Sequence, residues 1–175
     1  ALMISVSQTV ETEAALMLDR AFNSSFTGLD GLELCSRVHT LPGGGTFANE
    51  PLTPGDLSMT TYEQARIDIS AFKDGQGLTM KASPRKLITS PTFEATAKRI
   101  LQSSDDPSTA QRSMNPFQNS VERMVSNYTT DADAWFLRTN ISGLYVQERA
   151  WPAEFMKDND FNSDAACFKT YFRLA

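Results

Sequence analysis

The chain reads as an α+β fold on three observations. Apolar residues recur at helical spacing through its first hundred positions. The last third turns to β-branched and aromatic runs. Helices come first and mixed, then strands, which argues against a doubly wound parallel sheet. At 175 residues and 41% hydrophobic content the chain fits one domain, or one with a small second lobe, and can bury a packed core.

The elements follow in order. Residues 7–24 predict a helix with Val10, Ala14, Met17, Ala21 and Phe22 on one side, Glu11 and Glu13 favouring its N-terminal end. Gly28 and the Asp30-Gly31 pair break it. From Leu32 to Val38 the pattern alternates, which predicts a half-buried strand with Cys35 and His39 on a shared face. Pro42 and the glycines at 43–45 end it in a flexible loop. A second helix starts near Ser58 or Thr60, with Thr60 and Glu63 at capping-box spacing. Its stripe is Tyr62, Ala65, Ile69 and Phe72, and Asp74, Gly75 and Gly77 stop it. Leu87 to Thr89 predict a short strand, and Ser90-Pro91 opens a third helix with Phe93, Ala97, Ile100 and Leu101 inward. A polar loop runs from Gln102 to Ser120. Strands are predicted at Val121–Tyr128, Ala134–Thr139, Gly143–Arg149 and Ala166–Leu174, with a hairpin turn at Asn140–Gly143.

Charge and composition exclude several functions. The net charge of −5 argues against a nucleic-acid-binding surface. No apolar run approaches the ~18 residues of a membrane span, and the opening ALMISV is too short and lacks the basic flank of a signal peptide. Cys35 and Cys167 are too few and too far apart for a disulfide framework, so a reducing compartment is expected. The sequons at Asn23, Asn127 and Asn140 matter only in a secreted eukaryotic protein. The missing initiator Met and an end inside a strand-like run lead us to expect a fragment.

The chemical motifs are weak. PGGGTF lacks the Lys-Ser/Thr and the helix opening of a phosphate loop. Cys35 and His39 make neither a zinc site nor a nucleophile pair with a visible orienting group. Asp158, Asp160, Asn162 and Asp164 alternate as in a calcium loop, but Ser163 and Lys169 stand where Gly and Glu are needed, so a solvated acidic turn is expected. Asp131 and Asp133 would be the paired carboxylates of a small soluble hydrolase; turn caps are the simpler use. Trp135, Phe136, Tyr145, Trp151, Phe155 and Phe161 are interleaved with too few cations for a base-stacking groove, so packing and subunit contact are their expected roles. No catalytic residue, cofactor or metal is expected.

One ordered set of motifs goes further. RAFNSSFTGLDGLELCSRVH at 20–39 is followed by GGGTFAN at 43–49 and by Leu57-Ser58 before a helix. Then come a Pro-to-Ser element at 84–103, Asn115-Pro116, Val125 to Leu137, Gly143 to Arg149, and Asp160 to Arg173. In order and spacing this set resembles the major capsid proteins of tailed bacteriophages, the Mu-like major head subunits with an HK-97-type fold. Cys35, where the pattern has an aromatic, and details of 102–120 depart from it.

The resemblance implies a peripheral domain over 1–56, with the end of its spine helix, an axial domain over 57–157, and a return strand over 158–175. It implies that an N-terminal arm and extended loop are missing. It also implies a non-enzymatic subunit that assembles with itself into pentamers and hexamers of an icosahedral head. Scaffolding and portal proteins would be partners. The head would enclose DNA without sequence-specific binding and would be built in the host bacterial cytoplasm, away from membranes. The loop 102–120 would reach the ring axis, with Asp105, Asp106, Arg112 and Arg123 as charged contact residues. An encapsulin-like shell, the hydrolase and a monomeric binding module are the alternatives.

Overall fold

A computed structural model describes residues 2–41, 43–106, 113–141, 149–159 and 166–174. It is mixed α and β, and the chain divides into two compact units, one of Ala1–Ala14 with Gly143–Ala175, the other of Ala15–Ser142.

The larger unit is built on a three-stranded sheet in the order β4-β3-β5, with β3 (Pro84–Thr89) parallel to β4 (Glu122–Val125) and antiparallel to β5 (Trp135–Thr139). A parallel pair needs a crossover. Here it is a 3-10 turn at Pro91–Phe93, helix α3 (Glu94–Gln102) and the loop after it. Leu87 and Thr89 point from β3 into the core, while Ile88 points to the opposite face. Helix α2 (Met59–Ser70) joins α3 on the core side, where Leu57, Tyr62, Leu87, Ala97, Ile100 and Leu101 form one cluster. Trp135 and Leu137 pack against it from β5, and Phe93 and Phe117 from the crossover.

Helix α1 (Leu2–Asp19) begins earlier and ends sooner than the expected 7–24. The Asn23 carboxamide oxygen accepts from Ser25 N, and the Asn23 backbone N–H donates to Arg20 O in a tight turn, so the local side chain wins the backbone from the helix. Only Ala21 of the expected stripe is buried; Met17 and Phe22 are exposed.

The expected strand over Leu32–Val38 is not one. Its backbone finds partners outside any ladder: Cys35 N donates to Ala21 O at 2.7 Å, and Asn49 serves Leu34 and Ser36 from the other side. Only His39–Thr40 (β1) pairs, with Thr46–Phe47 (β2). The glycine run is the turn of that hairpin, with Gly44 and Gly45 at φ +87° and +90°. Gly43 has a separate reason to lack a side chain, since a Cβ there would be driven into the Gly75 carbonyl. Gly75 belongs to the turn after α2, in which the Asp74 carboxylate accepts from Gln76 N and Leu78 N. Phe47 meets Phe72 edge-on at 4.8 Å, tying the two turns together.

Helix α2 starts where expected, but its capping box is Ser58 with Thr61, not Thr60 with Glu63. Ser90 precedes the crossover as expected, yet its hydroxyl gives no cap; it donates to Ala132 O at 2.6 Å.

In the smaller unit β6 (Arg149–Asn159) pairs antiparallel with β7 (Ala166–Leu174). The final strand has the expected bounds. Strand β6 runs on from Arg149, where the expected strand ends, through Asp158, where an acidic turn is expected. Pro152 and a register shift between Trp151 and Glu154 interrupt the alternation there. The expected strand at 143–148 lies outside the described residues.

Candidate functional site

The loop after α3 leaves the helix by a defined neck. Asp105 bridges antiparallel to Met114, and Asp106 N donates to Ser113 O at 2.8 Å. The neck is fastened by Asn115. This buried residue donates from Nδ2 to Ile100 O (2.8 Å) and Ser103 O (3.0 Å), and accepts at Oδ1 from Phe117 N (2.9 Å). Two carbonyls that the helix end leaves open are thereby satisfied. Asn119 N closes a third, at Leu101 O. The neck is therefore an extension of the core, and it holds Asp105 and an 84% exposed Met114 in solvent.

Of the four charged residues singled out from sequence, Asp105 and Asp106 lie on this neck. Arg112 lies outside the described residues. Arg123 is on β4, facing the core side beside Leu87. Its Nη1 sits 3.2 Å from Glu94 Oε1, and Glu94 also meets Lys98 at 2.8 Å. Lys98 first, and Arg123 after it, hold the Glu94 carboxyl below the usual range. Arg123 thus clamps the start of α3 to the sheet.

The other constellations take structural roles. Cys35 and His39 do not share a strand face, because 32–38 is not a strand. His39 Nδ1 lies 2.5 Å from Asp30 Oδ2 and its Nε2 is 3.3 Å from Leu34 O. That hydrogen bond, with a second from Leu32 N, holds the Asp30 carboxyl below its ordinary value. Burial, then Glu50 and Glu33, pushes the Cys35 thiol up to about 12, so it carries no thiolate near neutrality. Asp131 and Asp133 are exposed, and Asp131 Oδ1 caps Asp133 N at 3.0 Å, which is the turn-cap role. Asp160, Asn162 and Asp164 lie outside the described residues, while Asp158 lies in β6 opposite Cys167. Among the described residues no cluster of His, Cys, Asp and Glu could hold a metal, and no helix is long and apolar enough to cross a membrane. Trp135 donates from Nε1 to Gly55 O, and Phe136 stacks on Phe22 at 5.7 Å; Tyr145 and Phe161 lie outside the described residues.

Sequence reasoning missed the residues that bind the loops to the scaffold. Asn49 accepts from Ser36 N and donates to Leu34 O, both at 2.7 Å. Asn140 accepts from Ser83 N at 2.8 Å and donates to Lys81 O at 3.1 Å. With Asn115 they do the same work: a carboxamide takes the place of a missing peptide neighbour. The signal available was the presence of Asn49 and Asn115 in the ordered motifs.

A family model described as phage capsid protein matches residues 2–175. No curated protein and no solved structure matches the chain.

Proposed function

The chain belongs to a phage capsid protein family, and from that premise we propose that it is the major head subunit, assembling with itself into the icosahedral shell that encloses phage DNA. The observation that carries the reading is the span of the match, which runs through both compact units. The family's role is structural. The fold proposed is the HK-97 type, with a peripheral domain over 1–56 and 158–175 and an axial domain over 57–157. Both chain ends fall in one compact unit, while 15–56 fall with 57–142 in the other.

Each subunit makes heterologous contacts that close into rings of five or six. Individual contacts need little affinity, because each subunit is held by several at once. A net charge of −5 suits a wall that must not grip the DNA it contains. The loop 102–120 contributes contact near the ring axis through Asp105, Arg112 and neighbouring residues, its neck held rigid by Asn115. Scaffolding and portal proteins complete assembly in the host cytoplasm.

Negative-stain electron microscopy of the full-length gene product, alone and with its neighbouring genes, tests the reading. Rings or closed shells are expected; dispersed monomers in both preparations refute it. Arg112→Glu is expected to impair rings with an unchanged melt, and normal rings would remove the loop from the contact.

A further inference from the structure

The sheet of the larger unit is covered on its core face, while the other face is open to solvent at Glu122, Met124 and Arg138. That open face is ordered in two rows, because cross-strand partners share a face. One row is Glu122–Lys86–Arg138 and the next is Met124–Ile88–Phe136. Lys86 meets Glu122 at 3.1 Å. Arg85 and Arg138 line the same open depression of about 460 Å³, and among the described residues neither pairs with a carboxylate. Three cations against one carboxylate make this a cationic patch on an acidic chain. Beside it the apolar row is 42% exposed at Met124 and half-buried at Ile88 and Phe136, where Phe22 stacks on Phe136.

On the far side of the core, α2 turns Tyr62 inward and, among the described residues, leaves its outer face exposed. That face carries Ile67, 54% exposed, with Glu63 one helical turn before it. The pattern is the complement of the sheet's: one acid and one apolar knob against one cationic and one apolar row. The spacing agrees. Positions i and i+4 of a helix are about 6 Å apart along the axis, and positions i and i+2 of a strand, such as Lys86 and Ile88, about 6.6 Å.

We infer that the outer face of α2 of one subunit docks on the open sheet face of the next, with Ile67 on the Met124–Ile88–Phe136 row and Glu63 against Lys86 and Arg138. The inference rests on the shell reading above and names a contact within it. The occupant is a second copy because each copy carries both halves on opposite sides of its core. Such a contact is heterologous and propagates from subunit to subunit, closing when the rotation fits a ring. The charge row sets register and rejects misaligned copies, and the apolar row supplies the buried area.

The test is a charge swap in the full-length gene product, read by electron microscopy and thermal melting. Glu63→Arg and Arg138→Glu both fall on exposed positions, so each is expected to keep the melt and lose closed shells, and the double variant to regain them. A second measurement covers misfolding. Ile67→Cys with Met124→Cys, in a Cys35→Ser, Cys167→Ser background, is expected to give a ladder of cross-linked subunits on a non-reducing gel of oxidised shells. Shells from both single variants, or shells of the cysteine pair that give no ladder, overturn the contact and leave the shell reading standing. Absence of shells from the unmodified protein in every preparation overturns both.

Discussion

Removing the Asn115 side chain tests the claim that the loop after α3 is an outgrowth of the core. In Asn115→Ala, Ile100 O and Phe117 N lose their carboxamide partners in a place where Asn115 itself is 3% exposed. A buried polar group left unpaired costs about 1–3 kcal/mol. Ser103 O, at the edge of the neck, can take water instead. Two orphaned groups therefore predict a loss of about 2–6 kcal/mol. For a chain of this size that is a fall in Tm of about 4–24 °C. Urea unfolding followed by circular dichroism measures it, as a lower midpoint at constant slope. Asn115→Asp gives an internal control. It keeps the acceptor for Phe117 N but sets a carboxylate against the carbonyls of Ile100 and Ser103. It should therefore be at least as damaging as Ala at neutral pH and less so in acid, where the protonated group donates again. A loss below about 0.5 kcal/mol for Ala, the range of an ordinary surface change, would refute the reasoning.

Three further outcomes are expected. Gly43→Ala should cost about 1–3 kcal/mol by overpacking, because its Cβ meets the Gly75 backbone carbonyl rather than a movable side chain; a neutral urea midpoint would contradict the close approach. Asp30 and Glu94 both have lowered carboxyl pKa values, so the folded state binds fewer protons and stability rises with pH through the acid range. The contribution is complete above the ordinary carboxylate pKa and is lost as the pH falls through the lowered one, and Asp30→Asn with Glu94→Gln should flatten that part of the stability profile. Cys35 in the native protein should react with a thiol reagent at pH 8 far more slowly than in urea, since its thiol is pushed up to about 12; equal rates would show that it is not buried.

Much of the helix pattern is legible in the sequence. Tyr62, Ile69, Ala97, Ile100 and Leu101 were marked by 3.6-residue spacing, and each is buried. The final strand, Ala166–Leu174, was marked by its apolar and β-branched run. The errors cluster where a backbone group finds a partner that is distant in sequence. Leu32–Val38 alternates like a strand, yet Ala21 O and Asn49, far from it in sequence, supply the hydrogen bonds of Leu34, Cys35 and Ser36. Local periodicity holds no information on such a partner. In β6, Pro152 breaks the alternation that would have marked the strand, and pairing with β7 overrides it.

By itself the sequence determined the class of fold, the inward side chains of α2 and α3, and, through an ordered set of motifs, the phage capsid family. These depend on neighbours three or four positions apart, or on the order of words along the chain. Tertiary structure decided what the motif residues do. It made Asn115 the fastening of a loop, drew Arg123 onto Glu94, and set a cationic row beside an apolar one across three strands. The physical reason is that register and long-range hydrogen bonding bring together residues such as Lys86, Glu122 and Arg138, whose proximity no local spacing encodes.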